Sequence, residues 1–588
     1  MNIKTLITLS VLTASTTLFA TDLVVSTANS ITSFPDSKDD VNVYYTGPIA
    51  EGDAGRARLG VADINVYYNV KSITLKGAGE AVPGTDTTSN DPSIWNTLGN
   101  YNIDIATASD ECYAFKNESQ GYLSHQMGAI TIKNSVAGST ATAIIDGGNR
   151  VFTFLGGGHI TQYPTLSIQT NTKLTTTSTS AQALFFSNAS RLNVSNNSTF
   201  TIDAAMKMYN NKYTGSDVEL AAIQAPVVNV ESGSSLITKK QVSLEADTQF
   251  NVAGNWTSNG EIITSGNTQI NIAGDWRSNG KVTTSGNAKI DITGKWMIYD
   301  KTTFQSATKA EINALEIWGG GEVIVSENAS VYAKTLFHGY GHTLKVSGTF
   351  ETDSATKFAQ FIVNKNGTLR QISGESTILE RAATVANGGT FSTVGYLELN
   401  GGLANENVAR WTKLTIEDGA NFFVDGKDES GTSVVVRNGE LILNKANAMT
   451  TSAGEFLALT NANNSTGAIL RIGANQTFKS ITADTKNIDI YLSTESSATL
   501  TADFFAVESG KIVIHDFAEN RVCIGNEIAD VNAIFDAYQT INGEEVKLNN
   551  LYLNNGWLSA LPAVPEPAEW AAIFGAIALG FAIYRRRK

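Results

Sequence analysis

Glu566 stands between Pro565 and Pro567, with Val564 before them, and is followed by an apolar run from Trp570 to Tyr584. Arg585, Arg586, Arg587 and Lys588 come directly after that run. A carboxylate between two prolines lies on a stiff, extended stretch, because each ring fixes φ and restricts the residue before it. The apolar run would make a helix about 22 Å long at about 1.5 Å per residue. That is shorter than the roughly 30 Å hydrocarbon core, although Ala568, Glu569 and the arginine stems would stretch the span. Four cations after it would hold that end on the cytoplasmic face. The chemistry implied is recognition and cutting of a tail held in a membrane, and a single transmembrane sorting helix is expected within 561–588.

Other groups that could do chemistry are sparse. His338 and His342 bracket Gly339-Tyr340-Gly341, but the glycines favour a turn and no nearby carboxylate completes a metal set. Asp425-Gly426-Lys427-Asp428-Glu429 lacks the spaced oxygen ligands of a calcium loop and reads as a solvated turn. Gly156 to Gly158 and Gly319 to Gly321 precede no Lys-Ser/Thr pair and are not phosphate loops. Ser/His/Asp, Cys/His and zinc spacings do not stand out. The sequence therefore assigns no catalytic residue, no metal ligand and no cofactor, and the protein is expected not to be an enzyme.

The elements that carry these residues are set by a repeat. Phe250-NVAGNW-Thr257, Ile270-NIAGDW-Arg277 and Ile290-DITGKW-Met297 align without gaps at a period of 20. Gly254, Gly274 and Gly294 coincide, as do Trp256, Trp276 and Trp296. Asn-Gly and Ser-Gly pairs punctuate each unit, which predicts two short strands per repeat. A looser signature has two apolar residues two places apart and a third at +8. Leu166/Ile168/Leu174, Leu192/Val194/Phe200, Val228/Val230/Leu236, Leu414/Ile416/Phe422 and Leu470/Ile472/Phe478 carry it. Residues i and i+2 share one face of a strand, and a polar turn returns the third to the same interior. Stacked coils of this kind form an all-β parallel β-helix, a β-solenoid, with about 20 residues per coil. The tryptophans would form a ladder, either packed in the core or exposed as an aromatic strip for sugars.

Composition agrees with this fold. No proline occurs between 227 and 561, as long β-ladders require. The net charge of −14 argues against nucleic acid as a partner. Cys112 and Cys523 are the only cysteines, far apart in the chain, and read as two free thiols, although an oxidising compartment would permit a bridge. Met1 to Lys4 supply a positive start, Leu6 to Leu12 an apolar stretch, and Leu18-Phe19-Ala20 a cleavage site after Ala20, the pattern of a secretory signal peptide. The expected organisation is a signal peptide over 1–20, an N-terminal cap or irregular first coils over 21–160, solenoid repeats over 161–560 and a sorting tail over 561–588. Ala204 to Gln224 interrupts the β pattern and reads as a loop or short helix.

Val564-Pro565-Glu566-Pro567, the short Trp/Ala/Gly/Ile/Leu run and Arg585 to Lys588 resemble the PEP-CTERM sorting signal of certain Gram-negative bacteria. The likeness covers about 564–588. It implies recognition by a membrane-embedded exosortase, removal of the tail, and delivery to the cell surface or extracellular matrix, where exopolysaccharide would be a partner. The body resembles an autotransporter passenger, but a single basic helix stands where an outer-membrane barrel would need alternating strands. The expected function is thus an exported structural or adhesive protein with only transient membrane contact. The alternative is a β-helix lyase or glycosidase carried by the same tail, because that fold also hosts carbohydrate-active enzymes.

Overall fold

The computed structural model describes residues 21–25, 40–46, 56–59, 65–68, 71–561 and 567–586, apart from short stretches at 93, 106–111, 151, 156–162, 181–183, 188, 210–224, 246, 340, 401–411, 438, 450–455, 461–466 and 484–487. It divides into two compact units, residues 1–300 with 307–309, and residues 301–306 with 310–588. Each is built mainly from parallel strands stacked in register, as in a β-helix.

In the first unit three columns of strands run side by side. The tight repeats show why. Gln249–Val252, Asn255–Ser258 and Ile262–Thr264 make one coil, and each pairs in parallel with its counterpart in the next repeat. Phe250 thus faces Ile270, Trp256 faces Trp276, and Ile262 faces Val282. The repeat holds three strands instead of the expected two. Gly254 accounts for the third. A Cβ at Gly254 would lie 1.9 Å from the carbonyl oxygen of Ser234, and one at Gly274 would lie 1.9 Å from that of Gly254. With no side chain the backbone turns a corner against the coil below, and the motif from Phe250 to Thr257 contains two strands with a bend between them.

Alternating side chains fill the interior. Ile103, Ile132, Ile168, Val194, Val230, Val252, Ile272 and Ile292 pair coil to coil in one unbroken aliphatic column, each at most 2% exposed. Parallel ladders bring such residues within about 4.8 Å of one another, so each packs on the one above and below. One coil runs from Ile132 to Ile168 and the next from Ile168 to Val194, both longer than a tryptophan repeat. The strict period is therefore local to those repeats. Coils of unequal length still keep the strands Thr165–Gln169 and Arg191–Val194 in register with their neighbours.

The second unit uses the same principle. Val325, Val346, Val363, Val385, Ile416, Leu443, Ile472 and Leu492 form its own buried column. The shortest coil in this column runs from Val346 to Val363, and the longest from Val385 to Ile416. The parallel pattern stops after Phe535–Ile541. That strand folds back as an antiparallel hairpin with Glu544–Leu548, and Leu551–Asn554 pairs antiparallel with Trp557–Ala560. An antiparallel return of this kind covers a sheet edge that would otherwise present unpaired backbone groups.

Pro567–Arg586 is a 20-residue α-helix. Its existence matches expectation, but the transmembrane span does not. Among the described residues no helix is long and apolar enough to cross a membrane. The helix includes Pro567, Glu569, Arg585 and Arg586. The uninterrupted apolar stretch within it is thus only about 22 Å long, against the roughly 30 Å needed. Pro567 also departs from the extended conformation expected of its motif. As the first residue of the helix it loses no hydrogen bond, because the amide it lacks would be unpaired there anyway.

Candidate functional site

Among the described side chains of the helix, the large apolar ones face solvent. Phe574, Ile577, Leu579, Phe581, Ile583 and Tyr584 are each at least half exposed. Arg585 and Arg586 occupy its last turn, where the negative end of the helix dipole favours cations. Pro567 heads the helix. Ala20, Val564, Glu566 with its neighbour Pro565, Arg587 and Lys588 lie outside the described residues, as does most of 204–224. Within that last stretch, Met206–Tyr209 is a strand in the ladder.

The tryptophan ladder lies inside the coil. Trp256, Trp276 and Trp296 are fully buried, with ring centroids 4.5 and 4.2 Å apart and planes 7° and 10° from parallel. Each indole N–H donates to a buried hydroxyl on the previous coil: Trp256 to Thr238 at 3.2 Å, Trp276 to Ser258 at 3.0 Å, and Trp296 to Ser278 at 3.0 Å. A ring with both faces covered and its polar edge satisfied offers nothing to a sugar. The reading of these rings as an exposed aromatic strip is set aside.

Asparagines form short ladders on the outer side of the same coils. Asn229 donates to Asn193 at 3.0 Å, Asn251 to Asn229 at 3.1 Å, and Asn271 to Asn251 at 2.9 Å. A second short ladder runs from Asn279 to Asn259 at 2.7 Å, and a third links Asn287, Asn267 and Asp247 at 3.2 and 2.9 Å. In the second unit, a groove of about 310 Å³ lies at a corner lined by Glu327, Asn328, Ser330, Ser347, Thr349 and Asn366. These surfaces present donors and acceptors at a coil-to-coil repeat.

The suggestive histidines are structural. His338 is fully buried; its Nε2 lies 3.0 Å from the His342 carbonyl oxygen, and its Nδ1 accepts the Ala359 amide at 3.3 Å. His342 points elsewhere, its Nδ1 accepting from the Gly320 amide at 3.0 Å. Burial pushes the His338 pKa down to about 3 and lowers that of His342. A neutral ring with both nitrogens engaged by backbone is no metal ligand. His125, also buried, is similar, held by Thr97 and the Gly128 carbonyl at 2.9 Å each and pushed by burial to about 4. Among the described residues no group of three or more His, Cys, Asp or Glu is placed to hold a metal ion. Asp428 caps its own turn, accepting from the amides of Ser430 and Thr432. Cys112 and Cys523 are not joined in a disulfide, and burial raises the Cys112 pKa to about 12, far from reactive.

No family model, curated protein or solved structure matches this chain. One cluster escaped the sequence reading entirely. His515 sits between Asp489, 3.0 Å from Nε2, and Glu545, 2.7 Å from Nδ1. Both carboxylates are too distant from His515 in the chain to form a local motif with it: coil stacking brings Asp489 beside it, and the fold-back of the C-terminal hairpin brings Glu545. Two carboxylates near one another would suit glycoside hydrolysis only with room for a sugar between them. Here the imidazole fills that space.

Proposed function

We propose that this protein is exported to the cell surface or extracellular matrix, where its β-helical body does structural or adhesive work, and that its tail is a sorting signal removed by an exosortase-type membrane peptidase. The observation that carries this reading is the helix Pro567–Arg586, whose described large apolar side chains are exposed and whose last turn is basic. An exposed apolar helix costs solubility unless a bilayer or another protein receives it. Being too short for a permanent span, it suits transient membrane contact followed by release. Glu566, with Val564, Pro565 and Pro567, is the recognition point, and Arg585, Arg586, Arg587 and Lys588 retain the precursor. Ala20 is the last residue removed with the signal peptide. Outward amide ladders and the polar groove at Glu327 to Asn366 support exopolysaccharide as a partner of the mature body, through many weak hydrogen bonds.

The test is the mass of the mature protein from the cell envelope and matrix, which reports both cuts. Glu566→Ala is expected to leave an uncleaved, membrane-associated precursor. Release of mature protein at the normal rate from that variant would remove Glu566 from its role.

A further inference from the structure

We propose that His515 is a pH-sensitive clasp that pins the tip of the C-terminal hairpin, Phe535–Ile541 with Glu544–Leu548, to the last parallel coils. Hydrogen-bond capacity sets the charge state of this ring. A neutral imidazole donates from one nitrogen only, whereas an imidazolium donates from both. His515 has a carboxylate acceptor on each side, Asp489 on the neighbouring strand Ile488–Leu492 and Glu545 on the hairpin. Only the charged ring satisfies both.

The surroundings hold the ring in that position. Its face lies on Tyr491, with centroids 4.2 Å apart and planes 6° from parallel, and Tyr538 of the hairpin stacks on it at 5.9 Å and 17°. Arg471 lies 4.1 Å over the Tyr491 ring and pairs with Glu440. Asp516, next to His515 in the chain, accepts from the Thr540 hydroxyl at 2.7 Å. Farther down the hairpin, Asp536 pairs with Lys511 at 2.8 Å and with Lys547 at 2.9 Å.

These groups divide the hairpin into a permanent root and a switchable tip. Burial opposes the charge on Asp536, but Lys511 and Lys547 outweigh it and lower its pKa, while Asp536 raises that of Lys547. Those pairs persist through the neutral range and hold the root, where Tyr538 faces Lys547. Glu545 faces Thr540 one step from the turn. For His515, burial lowers the pKa, but the hydrogen bonds and charges of Asp489 and Glu545 together raise it above the ordinary value near 6.5. A raised folded-state pKa gives stabilisation that is complete below about 6.5 and is lost as pH rises through the folded value. Above it one carboxylate loses its donor, and the tip, which already exposes Ile541 and Val546, is held less tightly, with the Thr540–Asp516 hydrogen bond still in place.

Hydrogen exchange of the purified full chain, corrected for intrinsic rates, tests this between about pH 6 and 8.5. Protection of the amides in 539–546 is expected to fall several-fold across that range, while those in 488–492 stay constant. His515→Gln removes the pH dependence and leaves the tip at its high-pH protection. Should that variant fail to fold, Glu545→Gln on the exposed hairpin is expected to weaken the dependence and move its midpoint to lower pH. A flat profile in the unaltered protein, or an unchanged profile in either variant, overturns the clasp. The measurement needs no export or tail processing, so its failure is separate from failure of the sorting reading.

Discussion

Trp256 and Trp276 stack with centroids 4.5 Å apart and planes 7° from parallel, although a whole repeat of chain separates them. That repeat is one full coil, and the stacking distance is close to the rise of a parallel ladder. Register, aromatic overlap and the hydroxyl partners Thr238 and Ser258 are satisfied by one geometry.

Removing the middle ring tests this. Trp276→Ala deletes a fully buried side chain with rings on both faces and is expected to destabilise the surrounding coils by about 3–5 kcal/mol. Trp276→Phe fills part of the space, leaves the Ser258 hydroxyl without its indole donor, and should cost less. Denaturant midpoints, with hydrogen exchange over 250–300, would measure both. Equal stability of the alanine variant and the parent would contradict a packed ladder.

Gly274→Ala probes the corner. The added methyl would meet the Gly254 carbonyl oxygen at 1.9 Å, a backbone atom that cannot swing aside. A loss of about 1–3 kcal/mol is expected, as for overpacking elsewhere. Gly575→Ala, where a Cβ meets nothing within 4 Å, should be neutral or slightly favourable to its helix. Thermal unfolding of the two variants side by side decides the matter.

Acid should weaken the fold through its buried histidines. His338 and His125 have pKa values lowered by burial to about 3 and about 4, against an unfolded value near 6.5. A lowered folded value means full stability above about pH 6.5 and progressive loss as pH falls towards the folded values, with a slope approaching about 1.4 kcal/mol per pH unit at each site. His338→Gln can still donate to the His342 carbonyl and accept from Ala359, and should flatten part of that slope. Urea midpoints between about pH 7 and 4 would show it, and an identical slope in the variant would exclude His338 as the cause.

The basic turn makes a cellular prediction. Replacing Arg585, Arg586 and Arg587 by glutamate reverses the charge next to the exposed apolar helix. Precursor should then be lost from the membrane fraction, with mature protein reduced several-fold, because anionic lipid favours cations at about 1 kcal/mol each. Fractionation with detection of the body would read this, and normal membrane recovery would remove the retention role.

The regular period, the glycine and tryptophan columns and the +8 apolar signature are enough to determine a stacked all-β body, because coils that pair in register must repeat their buried residues. The same sequence determines a helix before Arg585, since its run of Ala, Ile, Leu and Phe contains no proline. Tertiary structure alone decided the rest. Trp276 could have faced either way from its strand; the Ser258 hydroxyl inside the coil settled that it turns inward. Gly254 looks like any turn glycine until the coil below is in place, so the repeat by itself predicts two strands and not three. Unequal coils, short from Val346 to Val363 and long from Val385 to Ile416, blur the period outside the repeats, because corners absorb insertions while strands cannot. Asp489, His515 and Glu545 are not legible as a group, since three ordinary residues far apart in the chain become one site only when two stacked strands lay Asp489 beside His515 and the terminal hairpin folds Glu545 back onto them.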